Sequence, residues 1–391
     1  RGCSAEELIE LAQQVLGDFN TSGATHPSWA PQSLAGIFSL DLKADEPAVH
    51  ALADHYGVPV RFFSSEELEK ETPRLQNPST AVFQEVGCHG VAEAAALRAA
   101  GESGQLLVPK LKSKRATCAL AESPGMLEVH ELGKTQGVLS VVGTGPGSPE
   151  WRLSETASWM QQAEEWVGYQ LYLELVEDIL QGQTLHAFPM GEETGRVRHA
   201  LELASQGKNV ALISSGDPGI YAMATLVHEQ LEQENRPSWN RIRVRVSPGI
   251  SALQAAAARV GAPLGHDFCV ISLSDLLTER EVILQRLDAA AKGDFVVALY
   301  NPVSSKRREL LEMARDRLLP FRSPDTPVIQ ARNLGRAEEQ VSVLRLEELT
   351  TETLDMLTVV LIGSSKTRFY YDNNANPRVY TPRGYEQKRQ K

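Results

Sequence analysis

The sequence predicts an α/β protein of more than one domain. Short apolar runs alternate with helical stretches along most of the chain, and its 391 residues exceed what a single hydrophobic core serves. Midway, SPGMLEVHELGKTQ (123–136) carries Pro and Gly with no clear period, which marks a linker. Composition is that of a globular chain, 42% hydrophobic and 23% charged. The formal net charge of -11 argues against a general nucleic-acid or anionic-membrane binder, because both partners reward a basic field. No apolar run approaches the roughly 18 residues of a membrane helix, and no signal-type start precedes the first elements. Cys3, Cys88, Cys118 and Cys269 are scattered without metal or redox spacing, so a reduced, cytoplasmic compartment is expected. The first residue is Arg1 rather than Met, so the chain reads as a fragment or a trimmed protein.

Residues 1–123 read as a small α/β domain. IFSLDL (37–42) and VPVRFF (58–63) are strands around a helix that Asp45 caps with Pro47 in its first turn, a βαβ unit. Ser64 and Glu67 form a capping box for the next helix. AVFQEV (81–86) reads as a strand, VAEAAALRAA (91–100) as a strong helix, and LLVPKLKSKRATCALA (106–121) as one or two strands. After a linker at 124–136, strands recur at 138–142, 184–188, 209–213, 242–246, 268–272, 295–299, 326–330 and 357–362. Helices between most of them predict mainly parallel sheets. So many strands predict two sheets, divided near SPGISALQAAAA, giving α/β subdomains 137–247 and 248–377 with a basic, mobile tail at 378–391.

Two turns after strands are rich in glycine, VVGTGPGSPEW (141–151) and ISSGDPGIY (213–221). Neither carries the G-K-[ST] of a phosphate loop. The first is not a dinucleotide fingerprint either, since its third glycine falls one place early and Pro146 removes a donor. Each alone reads equally as a tight turn or a binding loop. Together, beyond the carboxyl ends of parallel strands, they suggest a flat ligand pressed against backbone. Asp217 either accepts hydrogen bonds from a ribose or ammonium there or caps the helix that follows. A positively charged, phosphate-free cofactor such as S-adenosyl-L-methionine explains the missing lysine.

VVGTGPGSPE, SSGDPGIYAMA, SPGISALQAAAARVGAPLGHDFCVISLSDLLT and VVALYNPVSSKR resemble the tetrapyrrole (corrin and porphyrin) methyltransferase family over roughly 137–370. Within it they look most like the enzymes that methylate precorrin-3B, or its cobalt-bearing counterpart cobalt-factor III, at carbon 17 of the ring. The resemblance implies two α/β subdomains, usually in a homodimer, with S-adenosyl-L-methionine in the cleft between them. It assigns that cleft Pro146 on the substrate side, then Ser215, Gly216, Asp217, Ile220, Ser251, Ala252, Tyr300, Asn301 and Asn333, with Arg332 nearby. One departure stands out: the family usually reads GPGD where this chain has Ser148. That removes a proton-handling carboxylate or hands its role to Glu150. SLDLKADEPAVHALADHYGVPVRFFSSEEL, VGCHGVAEAAAL and LLVPKLKSKRAT resemble the carboxyl-terminal domain of the cobalamin-synthesis protein CbiG over about 1–120. This implies a lactone-opening or corrinoid-binding role in the same pathway, a missing amino-terminal partner domain, and other cobalamin-pathway enzymes as partners.

The implied ring contraction wants a proton donor or acceptor. Candidates are His266, Asp267, Tyr300, and Glu192 or Glu193. His266 reads more readily as a turn residue, and the two glutamates also read as the start of a helix. A carboxylate-rich macrocycle calls for cations, for which Lys306, Arg307, Arg308, Arg332 and Arg336 are candidates. Lys110, Lys112, Lys114 and Arg115 offer the same in the first domain or form a solvated strand edge. There, Lys43, Glu85 and Glu93 are the catalytic candidates, and Cys88-His89 reads as a turn rather than a metal ligand. Two other functions fit less well: a dinucleotide-dependent oxidoreductase, and a family member acting on another tetrapyrrole carbon.

Overall fold

The structure is a computed structural model that describes residues 2–21, 33–304, 307–352 and 354–385. Its first domain contains α1 (Ala5–Thr21), β1 (Ile37–Leu40), α2 (Pro47–Tyr56), β2 (Val60–Phe63), α3 (Ser65–Glu69), α4 (Thr80–Val86), α5 (Ala92–Ala100), β3 (Gln105–Lys112) and β4 (Thr117–Glu122). β1 and β2 are parallel around α2, and β3 and β4 form an antiparallel hairpin. Leu8 and Leu11 of α1 pack with Ala48, Val49 and Leu52 of α2 against Phe62. The Ser64–Glu67 capping box forms as expected, with Glu67 N donating to Ser64 Oγ at 3.2 Å and Ser64 N to Glu67 Oε2 at 2.8 Å.

Three local expectations are corrected. AVFQEV is the helix α4, because Ser79 Oγ accepts from Val82 N at 3.4 Å and Gly87, at φ 78°, closes the other end on Phe83 O. Capping at both ends overrides β propensity in so short a segment. β1 stops at Leu40, where Asp41–Lys43 turns into a 3-10 helix. Glu46, not Asp45, occupies the N-cap position of α2, with Pro47 in the first turn.

The rest of the chain continues with β5 (Val138–Gly143), α6 (Ser154–Gln162), β6 (Glu165–Tyr169), α7 (Gln170–Glu174), β7 (Thr184–Phe188), α8 (Glu193–Ser205), β8 (Asn209–Ser214), α9 (Met223–Glu234) and β9 (Arg243–Ser247). These strands form one sheet in the order β7-β6-β8-β5-β9, parallel throughout. Apolar clusters lie on both faces, one around Leu139, Val141 and Leu201, the other around Val142, Trp166 and Ile213. Burial on both sides explains why these strands read as continuous apolar runs. β6 escapes sequence reading because it opens on Glu165, a buried carboxylate held by Lys208 Nζ at 2.5 Å and His186 Nε2 at 2.7 Å.

Then follow α10 (Ala252–Val260), β10 (Gly261–Ala262), β11 (Phe268–Ser272), α11 (Arg280–Lys292), β12 (Val296–Tyr300), α12 (Glu309–Leu318), β13 (Pro327–Arg332), β14 (Gln340–Arg345), β15 (Thr358–Ile362), β16 (Arg368–Tyr371) and β17 (Pro377–Tyr380). The second sheet runs β11-β12-β15-β13-β14, and only β11–β12 is parallel. This corrects the expectation of mainly parallel pairing here. Residues 333–339 between β13 and β14 are too few for the crossover that a parallel neighbour needs. β10, β17 and β16 make a third, small sheet, so the segment expected as tail from 378 first completes a strand; residues 386–391 lie outside the described residues. No described helix is long and apolar enough to cross a membrane.

Candidate functional site

β8, β5 and β9 are adjacent and parallel, so the turns that follow them share one edge of the first sheet. Those turns meet backbone to backbone. Gly216 N donates to Gly145 O at 2.7 Å, and Gly145 N to Gly216 O at 3.3 Å. A Cβ on Gly143 would lie 2.5 Å from Gly216 O, and one on Gly249 only 2.0 Å from the same oxygen. Bareness here thus serves first to let three turns close on each other. Gly216 is different: at φ +68° it has open space, and its backbone conformation is what favours glycine.

Asp217 binds this assembly together. Its Oδ1 accepts from Gly219 N at 2.7 Å and its Oδ2 from Gly249 N at 3.1 Å. It does not cap α9, whose N-cap position is Ala222, so that reading is corrected. Ser251 is buried, with its hydroxyl directed to Gln254 Oε1 at 3.2 Å and its N–H donating to the same oxygen at 3.0 Å, and Ala252 packs against the neighbouring apolar cluster. Ile220 is half-buried in the turn, with its N–H on Asp217 O.

The second sheet closes over these turns. Tyr300, at the end of β12, accepts from Leu253 N at 3.1 Å through its Oη. Burial holds its phenol above the ordinary tyrosine range, only partly offset by the Leu253 amide, so it stays protonated near neutral pH. Asn301, at φ 51°, donates from Nδ2 to Ser272 Oγ at 3.1 Å. Asn333, at φ 52°, turns the chain after β13 so that Arg336 reaches back to the first sheet. Arg336 donates from Nε to the buried Pro146's carbonyl at 2.9 Å and from Nη2 to Ser215 Oγ at 3.2 Å.

Tyr221 was not foreseen. Its Oη donates to Val270 O and accepts from Ser272 N, both at 3.1 Å, covering the edge strand β11, while its ring lies 5.7 Å from that of Tyr300. Its φ of 52° is unusual for an aromatic residue and signals stored strain. Tyr221→Phe is expected to lower stability by about 1–2 kcal/mol, since it leaves two backbone groups without their partner; urea unfolding measures this.

Other expectations are corrected by position. His266 and Asp267 sit at the amino end of β11, about 17 Å of extended chain from Ser272 and the cleft, so they do not join the proton-handling group. His266 Nδ1 accepts from Asp267 N at 2.8 Å, the local turn bond of the plainer reading. Glu192 is exposed at the N-cap position of α8, and Glu193 Oε1 accepts from Gly191 N at 3.2 Å, so both open a helix, as the plainer reading has it. Ser148 Oγ accepts from Glu150 N at 3.3 Å and caps a 3-10 turn, which leaves Glu150 exposed. Arg332 pairs with Asp355 at 2.6 Å and Arg307 with Asp275 at 3.0 Å, while Arg308 donates to Thr351 O. Lys306 lies outside the described residues.

In the first domain, a cavity of about 930 Å³ is lined by Lys43, Glu46, Tyr56 and Arg115 among apolar residues of α1, β1 and β4. Of the three catalytic candidates only Lys43 reaches it. Glu93 is buried and accepts from Gln76 N, Asn77 N, Asn77 Nδ2 and Lys110 N at 2.7–3.0 Å, a structural role, and Glu85 is exposed on α4. Cys88 is buried and His89 Nδ1 lies 2.9 Å from Glu69 Oε1.

Comparison with known proteins follows the same division. Residues 138–350 match the family model "Tetrapyrrole (Corrin/Porphyrin) Methylases", and residues 1–121 match "Cobalamin synthesis G C-terminus". The cobalamin biosynthesis protein CobIJ of Mycobacterium tuberculosis is 39% identical over 333 residues, covering 80% of this chain but 64% of that protein, so the chain spans just under two thirds of its length. The precorrin-3B C(17)-methyltransferase of a Sinorhizobium species is 43% identical over 249 residues, 64% of this chain and 97% of that one. The crystal structure of the methyltransferase CobJ aligns with a TM-score of 0.59 at 40% identity, covering 63% of this chain and all of that one. With its glycine turns closed on one another at a parallel sheet edge and a matching model over more than half its length, this chain belongs to the tetrapyrrole (corrin/porphyrin) methylase family.

Proposed function

We propose that the chain transfers a methyl group from S-adenosyl-L-methionine to carbon 17 of precorrin-3B or cobalt-factor III, with contraction of the ring, in cobalamin biosynthesis. The observation that carries this reading is the bare cleft edge: three glycine-containing turns closed on one another, no lysine within 141–151 or 213–221, and Tyr300 and Arg336 brought in from the second sheet. Such a lining suits a phosphate-free nucleoside, and Pro146, Ser215, Gly216, Asp217, Ile220, Ser251, Ala252, Tyr300, Asn301 and Asn333 are the residues proposed to hold it. When bound, the donor supplies an activated methyl group. The chain's own task is alignment and exclusion of water, worth roughly 7–11 kcal/mol where geometry is held. Tyr300, half-buried and protonated, is the proposed proton donor.

The dinucleotide reading loses its footing: after β5 the first α-helix begins only at Ser154, so the glycine turn does not open a helix whose N-terminus faces a pyrophosphate. In this reading the first domain opens the lactone or binds the corrinoid, supported by its cavity and the cations Lys43 and Arg115. The protein works as a homodimer in the cytoplasm beside other cobalamin-pathway enzymes; exposed Phe369, Tyr370 and Tyr371 on the edge strand β16 support the dimer. Incubating the chain with methyl donor and precorrin-3B, and separately with cobalt-factor III, tests the function. A product one methyl group heavier, with fragmentation placing the methyl at carbon 17, is expected from one of them. No methylated product from either would defeat the reading, and a methyl on another carbon would reassign it within the family.

A further inference from the structure

One string of hydrogen bonds ties the edge strand β7 to its neighbours, apart from the glycine turns. Glu165, at the start of β6 and 6% exposed, accepts from Lys208 Nζ at 2.5 Å through Oε1, and its Oε2 lies 2.7 Å from His186 Nε2 on β7. His186 Nδ1 lies 2.9 Å from His199 Nε2 on α8, and both rings are half-buried. The His199 ring also packs against Phe188, with centroids 5.5 Å apart. Burial raises the Glu165 carboxyl, but the Lys208 and His186 hydrogen bonds outweigh it and hold it below the ordinary value of 4.5, so it is ionised near neutral pH. A carboxylate only accepts, so His186 Nε2 carries a proton. In the neutral ring Nδ1 is then bare, and His199 Nε2 donates to it. One further proton can enter this pair, on His199 Nδ1 or on His186 Nδ1 with the bond between the rings reversed. A second cannot, because two N–H groups would then face each other across 2.9 Å. The other charges nearby are engaged elsewhere: Arg196 donates to Pro189 O, Arg198 pairs with Glu234, and Glu202 accepts from Trp239 Nε1.

We propose that Glu165, His186 and His199 form a proton-sensitive clasp that fastens β7 and α8 to the first sheet and opens as pH falls below about 6.5. The clasp matters at this edge because β7 pairs with β6 alone and exposes Thr184, Leu185 and Ala187. In the open form both imidazoles take up protons near the ordinary histidine value, whereas the closed pair holds at most one. Closure is therefore complete above about pH 6.5 and weakens by about tenfold for each pH unit below it, the slope of one proton. The direction agrees with His199 itself: burial, then the neighbouring His186, lowers its value from 6.5, and Lys208 adds to this while Glu165 opposes it. A group whose value is depressed by folding stabilises above the unfolded value and loses that contribution as pH falls. This device is independent of the methyl-transfer reading.

Hydrogen exchange on the full chain between about pH 7.5 and 5, corrected for the intrinsic pH dependence of amide exchange, tests the clasp. In wild type the protection of Thr184–Phe188 and of Glu193–Ser205 is expected to fall about tenfold per pH unit below about 6, while β5 and β8 change little. His199→Gln keeps a donor for His186 Nδ1, and its amide can turn its oxygen to the ring once His186 is protonated. The variant is therefore expected to hold its protection within about twofold across the same range. A histidine titration of wild type by NMR gives a second measurement that needs no variant. The two rings together are expected to take up one proton above about pH 5, and the ring resonances of His186 and His199 shift in step. Protection of β7 and α8 that is level with pH in wild type, or equally pH-dependent in folded His199→Gln, overturns the clasp. So do two rings that each protonate fully and separately near pH 6.5. Should His199→Gln fail to fold, the wild-type exchange and titration decide.

Discussion

Replacing Gly249 by alanine is expected to lower stability by about 2–3 kcal/mol and to weaken S-adenosylhomocysteine binding by at least tenfold. The added carbon meets Gly216 O at 2.0 Å and the Gly143 backbone at 3.0 Å, so the three turns cannot all keep their places. Both contacts are backbone, and a rotamer change cannot relieve them. Moving the β9 turn also withdraws Gly249 N from Asp217 Oδ2 and loosens the turn that Asp217 holds. Gly195→Ala is the control: it lies in α8 with nothing within 4 Å of the new carbon, so a gain of roughly 0.5–1 kcal/mol is expected with binding unchanged. Urea unfolding and calorimetry on the two variants separate the outcomes, and unaltered binding by Gly249→Ala would count against the closed-turn account.

Glu93→Ala is expected to unfold the first domain, with a loss of roughly 3–5 kcal/mol, while donor binding by the rest of the chain persists. The carboxylate is 2% exposed and accepts from four donors, three of them backbone amides from the 76–77 turn and β3. Removing it leaves those donors buried and unpaired. Burial by itself raises the Glu93 pKa, but the hydrogen bonds from Lys110, Asn77 and Gln76 outweigh burial and hold it below the ordinary carboxylate value of 4.5. A depressed folded value means that the stabilisation is complete above the unfolded value and is lost as pH falls through the folded one. The first domain is therefore expected to melt at a lower temperature as pH drops below about 4.5, an effect that Glu93→Gln suppresses while lowering stability at pH 7. Circular dichroism melts across pH 3 to 7 on both proteins check it, and identical pH profiles would contradict the role given to Glu93.

Much of the architecture was legible because its causes are local. Ser64 and Glu67 announce a capping box, and apolar runs such as VLSVV and VALIS announce strands buried on both faces. That the glycine turns share one sheet edge was legible for the same reason: parallel strands place their carboxyl ends together. What the glycines do for each other was not legible, because Gly143, Gly216 and Gly249 are distant in sequence and meet only in the fold. The same holds for Tyr221, whose two bonds go to β11, and for Arg336, whose partners Pro146 and Ser215 lie far upstream. β6 was hidden by Glu165, a charge that looks exposed until Lys208 and His186 are seen beside it. His266 and Asp267 misled because a GHD turn looks reactive in sequence, whereas strand direction puts it at the far end of β11 from the cleft.

Titration of the full chain with S-adenosylhomocysteine, in the presence and absence of excess NADH, addresses the cleft most directly. Stoichiometric binding that NADH leaves undisturbed is the expected result; a silent titration, or competition by NADH, would contradict the assignment of this edge to a phosphate-free nucleoside.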